Sequence, residues 1–192
     1  MVAVGGVLAA FGLAASAGLN AYIPLLVVAL AARLTDWFKL GPTWEPLTSW
    51  WVIGVLVVLV AVEFIADKLP AVNHANDVIQ TFVRPAAGAV LFAASTNVVT
   101  DINPVFAMIA GLLTAGSVHA VKSVAVRPAV SLTTGGIGNT PVSILEDLIS
   151  TVLAILAVLI PVAVAIMMVL LTSFIIWLLW RNARRSTAAQ SG

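Results

Sequence analysis

Residues 2–32 read VAVGGVLAAFGLAASAGLNAYIPLLVVALAA, an apolar run without a single charge. A bilayer's hydrocarbon core is about 30 Å thick and accepts about 20 helical residues. At 1.5 Å per residue, roughly 31 residues in one straight helix would extend about 46 Å. The middle of the run, Ser16-Ala17-Gly18-Leu19-Asn20-Ala21-Tyr22-Ile23-Pro24, holds a Gly, an Asn and a helix-breaking Pro. The segment is therefore expected either to break within the membrane or to turn back as a re-entrant hairpin. Either form frees backbone groups that only protein neighbours or water can satisfy. Asn20, Tyr22 and Pro24 are candidate path residues for that reason.

The rest of the chain belongs to the same solvent. Of 192 residues, 61% are hydrophobic and 9% charged, with a mean hydropathy of +1.12. Soluble domains carry about 25% charged residues, so this surface suits lipid better than water. A net charge of +1 offers no field for nucleic acid. With no cysteine and two histidines there is no set of zinc ligands, and neither metal nor cofactor is expected. The start of the chain lacks the basic n-region of a signal peptide and is expected to be the first membrane segment.

Working outward, Arg33 to Thr48 is a polar connection, with Trp37, Trp44, Trp50 and Trp51 marking an interface. Trp50 to Ala66 is a span. In Asn73 to Arg84, polar Asn73, Asp77, Gln80 and Arg84 alternate at helical spacing with apolar Ala75, Ile79, Phe82 and Val83. That pattern predicts a helix lying along the membrane surface with its polar face wet. Pro85 to Val99 and Pro104 to about Lys122 are two further spans, and Ser131 to Thr140 is a glycine-containing loop. Val142 to Trp180, with Pro161 in its middle, is too long for one crossing and predicts a hairpin of two helices. The fold class is all-α: a polytopic transmembrane helix bundle with a broken or re-entrant first segment. Residues 1–185 form one domain and 186–192 a short cytoplasmic tail.

Basic residues set the orientation. Arg181, Arg184 and Arg185 place the C-terminus in the cytoplasm, on the side of Lys68, Arg84, Lys122 and Arg127. Asp101 and the Arg33–Glu45 connection fall on the other side. The predicted location is the cell inner (plasma) membrane, multi-pass, with membrane lipids as the constant partners. Small residues recur at four-residue steps in Gly6, Ala10, Ala14 and Gly18, and again in Ala107, Gly111 and Ala115. Such ridges bring helix backbones together in lipid, and they would equally suit a homo-oligomer or a larger membrane complex. Val83-Arg84-Pro85-Ala86 and Val126-Arg127-Pro128-Ala129 match, but four residues in so biased a composition do not establish a duplication.

Ionisable groups inside a membrane are costly and usually serve a purpose. Helical spacing continues the second ridge to His119 and then to Lys122 and Arg127, so His119 is expected to point inward. Asn139-Thr140-Pro141 opens a helix with Thr140 as its expected N-cap. Glu146 and Asp147 lie beyond its first turn and need cationic partners, for which Lys122, Arg127 and Arg84 are the candidates. Glu63 and Asp67 stand one turn apart and repel unless a cation or a shared proton intervenes. Asp77, Lys68 and Asn139 complete the candidate set. The Gly135-Gly136-Ile137-Gly138 loop is not a P-loop, since no Gly-Lys-Ser/Thr follows.

Four blocks resemble one known family: Glu63-Phe64-Ile65-Ala66-Asp67-Lys68-Leu69-Pro70, Phe82-Val83-Arg84-Pro85-Ala86-Ala87-Gly88-Ala89, His119-Ala120-Val121-Lys122, and Asn139-Thr140-Pro141-Val142-Ser143-Ile144-Leu145-Glu146-Asp147. Together they look like the bacterial membrane family catalogued as domain of unknown function 4126. The chain carries Ala86 where that family often has a second Pro. The resemblance implies membrane topology and supports the same site residues; it implies no activity. The expected function is a small transporter or channel with an anionic cargo, such as a lipid phosphate. The alternatives are an intramembrane enzyme using His119 with Glu146 or Asp147, and a non-catalytic subunit. A non-enzymatic role is favoured.

Overall fold

The computed structural model describes residues 2–67, 70–96, 102–135 and 138–160 and, of the last segment, 166–167, 169–174, 176–177 and 180–181. Its side chains are described from residue 5 and, in the fourth helix, from residue 76. Lys68, Asp101, the turn expected at Pro161 and the tail 186–192 lie outside the described residues. The elements run α1 (Val2–Leu19), α2 (Tyr22–Leu34), a 3-10 helix (Pro42–Thr48), α3 (Trp50–Ala66), α4 (Pro70–Thr96), α5 (Pro104–Val121), a π-helical turn (Lys122–Val126), α6 (Arg127–Thr134) and α7 (Asn139–Leu159). No strand occurs among the described residues, and the class is all-α as expected. Among the described residues, three helical stretches, Asn76–Thr96, Pro104–Thr134 and Asn139–Leu159, are long and apolar enough to cross a membrane. The count rises to four if the 3-10 helix and α3, bent at 63°, form one span.

The charge-free first run breaks at Asn20. Its side-chain oxygen accepts from the backbone N–H groups of Tyr22, at 3.1 Å, and Ile23, at 3.0 Å. Those are orphan donors at the start of α2. Pro24 sits in the first turn of α2, where a missing N–H costs no bond. The break returns the chain to where it began. Trp44, in the connection that follows α2, packs against the cluster holding Ala10 and Ala14 of α1. Arg33, at the end of α2, lies over the Trp50 ring. Segment one is therefore a hairpin with its apex at Asn20-Ala21.

The ridges are packed as the spacing predicts. Ala10, Ala14, Ala107 and Ala115 are all buried. Gly111 of α5 meets Gly88 of α4 so closely that a Cβ on either would collide with the other helix. A Cβ on Gly18 would stand 2.6 Å from the Ala115 carbonyl oxygen. Without a hydrophobic drive between helices in lipid, this backbone approach supplies the cohesion. Both ridges are used within the chain. Ser16 and Ser150 stitch α1 to α7: each hydroxyl donates to the other residue's carbonyl, at 2.8 and 3.1 Å.

Three local expectations are corrected. Residues 73–84 do not form a separate surface helix; α4 runs unbroken through Pro85 to Thr96. The proline ring lies over Gly116 of α5, and a spanning helix tolerates the lost bond where neighbours enclose it. The amphipathic pattern is also inside out, since Val78, Ile79 and Phe82 are exposed while Gln80 and Arg84 are buried. The glycine loop is shorter than 131–140, because α6 extends to Thr134 before Gly135 turns at φ +62°. Thr140 does not cap α7, which begins at Asn139. Asn139 instead donates to the Ser131 hydroxyl at 2.9 Å.

Candidate functional site

The hairpin apex does not end in empty space. Five helices bring their polar side chains to it. Lys122 donates to the Leu19 carbonyl at 3.2 Å, satisfying a group freed by the break, and holds Glu146 at 2.6 Å. Asn20, besides capping α2, donates through Nδ2 to Asp147 at 3.0 Å. Apex and cluster are thus one structure. Lys122 opens the π-helical turn, in which Arg127 N–H reaches the Lys122 carbonyl five residues back. Pro128, lacking an N–H, cannot donate to Val124, and the widened turn accommodates it. Such turns occur often at functional sites.

Arg84 is wholly enclosed, with 0% of its side chain exposed. Its NH2 donates to Glu63 Oε1 at 3.0 Å and lies 3.9 Å from Asp67 Oδ2. The repulsion between Glu63 and Asp67 is therefore met by a shared cation, one of the two solutions the sequence allowed. Asp67 is well supplied. It accepts from Asn76 at 2.6 Å and Ser143 at 3.2 Å, and Arg127 stands 3.6 Å away. Arg127 also pairs with Asp77 and lies 3.8 Å from Glu146. The arginines of the two matching Arg-Pro blocks thus converge on one carboxylate.

His119 is buried and points inward as its ridge position requires. Arg84 NH1 lies 3.3 Å from His119 Nδ1, and Thr81 Oγ1 lies 3.3 Å from Nε2. Arginine has only donors, so Nδ1 accepts and the ring is neutral with its proton on Nε2. That proton goes to Thr81, whose own hydroxyl donates to the Asp77 carbonyl at 2.8 Å. In this arrangement the histidine is occupied on both nitrogens. Neither nitrogen is hydrogen-bonded directly to Glu146 or Asp147.

Of the sequence candidates, Asn20, Glu63, Asp67, Asp77, Arg84, His119, Lys122, Arg127, Glu146 and Asp147 come together. Tyr22 joins them from α2, facing Gln80, Glu63 and Arg84. Pro24 is buried in α2 and offers no freed carbonyl of its own. Asn139 stays with Ser131, apart from the cluster, and Lys68 lies outside the described residues. Gln80, Asn76, Thr81 and Ser143 were missed as members. The signal for Gln80 was its position one turn before Arg84 on the same helical face. Two buried atoms near the centre, Glu63 Oε2 and Gln80 Oε1, have no hydrogen-bond partner among the described residues, and neither does Arg84 Nε. No group of three or more metal-ligating side chains occurs among the described residues.

The described residues form a helical bundle, with helices long and apolar enough to cross a membrane, that encloses an ionic network around a broken segment. Residues 7–181 match the family described as Domain of unknown function (DUF4126), and the chain belongs to that family. No curated protein and no solved structure matches it.

Proposed function

We propose that this protein is a small transporter or channel whose path passes the apex of the α1–α2 hairpin. One observation carries the proposal: the ionisable side chains of five helices are gathered, mostly buried, around a break in a membrane segment. Such breaks line the binding sites of secondary transporters, where helix ends face the cargo. Buried charge is expensive unless it serves a purpose.

The cargo or coupling ion is a cation, because a buried carboxylate oxygen, Glu63 Oε2, has no hydrogen-bond partner among the described residues. Arg84, Lys122 and Arg127, which favoured an anion in the sequence, each lie against a carboxylate. The membrane is a bacterial inner membrane, with the cluster toward the cytoplasm and the C-terminus on that side by the bias of Arg181, Arg184 and Arg185. Residues 1–185 act as one membrane domain, with 186–192 as its tail. The arrangement of His119 speaks against the enzyme reading. Ridges consumed within the chain speak against the subunit reading.

Purified protein in liposomes should pass protons or monovalent cations faster than empty vesicles, and K122M should alter that rate. Flux of anions or labelled phospholipid alone would reverse the sign of the cargo. No flux of any class would overturn the proposal.

A further inference from the structure

Within the cluster, two carboxylates one turn apart on the same helix have unlike surroundings. Asp67 takes hydrogen bonds from Asn76 on α4 and Ser143 on α7, with both arginines within 4 Å. Glu63, only 1% exposed, has one ligand, Arg84 on Oε1, and nothing on Oε2. A buried carboxylate oxygen without a donor is costly. Gln80, also 1% exposed, carries a second unpartnered acceptor in Oε1. It stands one turn before Arg84 on the face of α4 that meets Glu63, and Tyr22 from α2 faces both. Glu63 Oε2 and Gln80 Oε1 are thus two buried acceptors without a donor among the described residues. A single added proton, shared between them, satisfies both.

We infer that Glu63 is a proton-binding site, taking a proton at Oε2 and presenting the resulting O–H to Gln80. The proposal deepens the transport reading above by naming the ion and the group that carries it. On protonation the carboxylate becomes a neutral acid, no bond other than O–H forms, and the cluster loses one negative charge. Arg84, 3.0 Å from Glu63 Oε1 and 3.9 Å from Asp67 Oδ2, then has Asp67 as its charged partner. Proton uptake and a shift of the Arg84 guanidinium are thereby coupled. The groups that face Glu63 and set its response are Tyr22 on α2, Asp67 after α3, Arg84 on α4, and Lys122 after α5. His119 acts through Arg84. It is not itself the carrier, because its acceptor nitrogen is occupied.

The test is infrared difference spectroscopy of the full-length protein in lipid nanodiscs, recorded between acid and alkaline pH. A protonated-carboxyl C=O band should appear on acidification, vanish in E63Q, shift in E63D and persist in D67N. A band unchanged in E63Q, or absent from the wild type, would overturn the assignment; an Arg84 that simply closes onto both Glu63 oxygens gives that result. If E63Q does not fold, the E63D shift decides, since a band that does not move in that variant is not Glu63. Wild-type vesicles that pass no protons would remove the transport reading and leave the spectroscopic assignment standing.

Discussion

The two ends of the bundle use the same residue types under opposite conditions. At the far end, Lys39 reaches Asp36 at 3.2 Å with both side chains exposed, and Arg33 rests on the Trp50 ring. These groups border an open cavity of about 260 Å³ lined by Ala32, Arg33, Lys39, Leu40, Glu45 and Thr48. At the near end, Arg84, Lys122 and their carboxylates are sealed among helices. Water keeps an exposed pair nearly neutral in its effect on stability. Enclosure makes each buried charge depend on its partner, because desolvation of either is repaid only while the pair is intact. The near end is therefore a place where removing one atom group should have large consequences, and the far end is a place where it should not.

The largest effect expected is that of Arg84→Met. It leaves Glu63 buried without the guanidinium that holds its Oε1, and breaking a buried pair in this way costs about 3–5 kcal/mol. Unfolding of the purified protein in detergent, followed by circular dichroism, measures the loss. The double variant R84M/E63Q should recover part of it by removing the stranded charge. An R84M protein as stable as the wild type would mean that the two ends do not differ, and the comparison would fail.

Between the ends, cohesion rests on contact rather than charge. Gly111→Ala places a Cβ against the Gly88 carbonyl, and overpacking of this kind costs about 1–3 kcal/mol. Gly54→Ala is its counterpart on α3, where nothing lies within 4 Å of the new carbon. It should leave stability unchanged or slightly raised, since alanine is the better helix former. Equal losses in the two variants would show that helix propensity, and not the α4–α5 approach, explains the glycines.

How much of this was legible in the sequence depends on what each signal encodes. The break at Asn20 was readable because an Asn and a Pro within a charge-free run have few other uses. That Asn20 would also reach Asp147 was not, since the partner lies 127 positions away. The limits of α3 followed from its tryptophans and its terminal acids. The polar face of 73–84 was seen, but amphipathicity gives a direction without saying which solvent lies on either side. In water the apolar side turns inward; here Phe82 faces outward and Arg84 inward. The proline at 85 reinforced the wrong division, because its meaning changes once a neighbouring helix covers the freed backbone. The charged members of the cluster announced themselves by their rarity. Gln80 and Ser143, being neutral, did not, although without them the contrast between Glu63 and Asp67 disappears.

The smallest effect sharpens the comparison most, because it asks whether charge as such matters or only its enclosure. Lys39→Gln removes an ion pair of ordinary geometry from the far end, with Asp36 left fully in solvent. Asp36 loses its neighbour but keeps its hydration, so unfolding of K39Q should coincide with that of the wild type. The same unfolding curves at rising salt concentration provide the internal check. Salt screens exposed charges within a Debye length of about 10 Å at 0.1 M and reaches buried pairs far less. The difference between wild type and R84M should therefore persist at high salt. A difference that salt erased would place Arg84 in contact with solvent, and the near end would then be no more than a second copy of the far one.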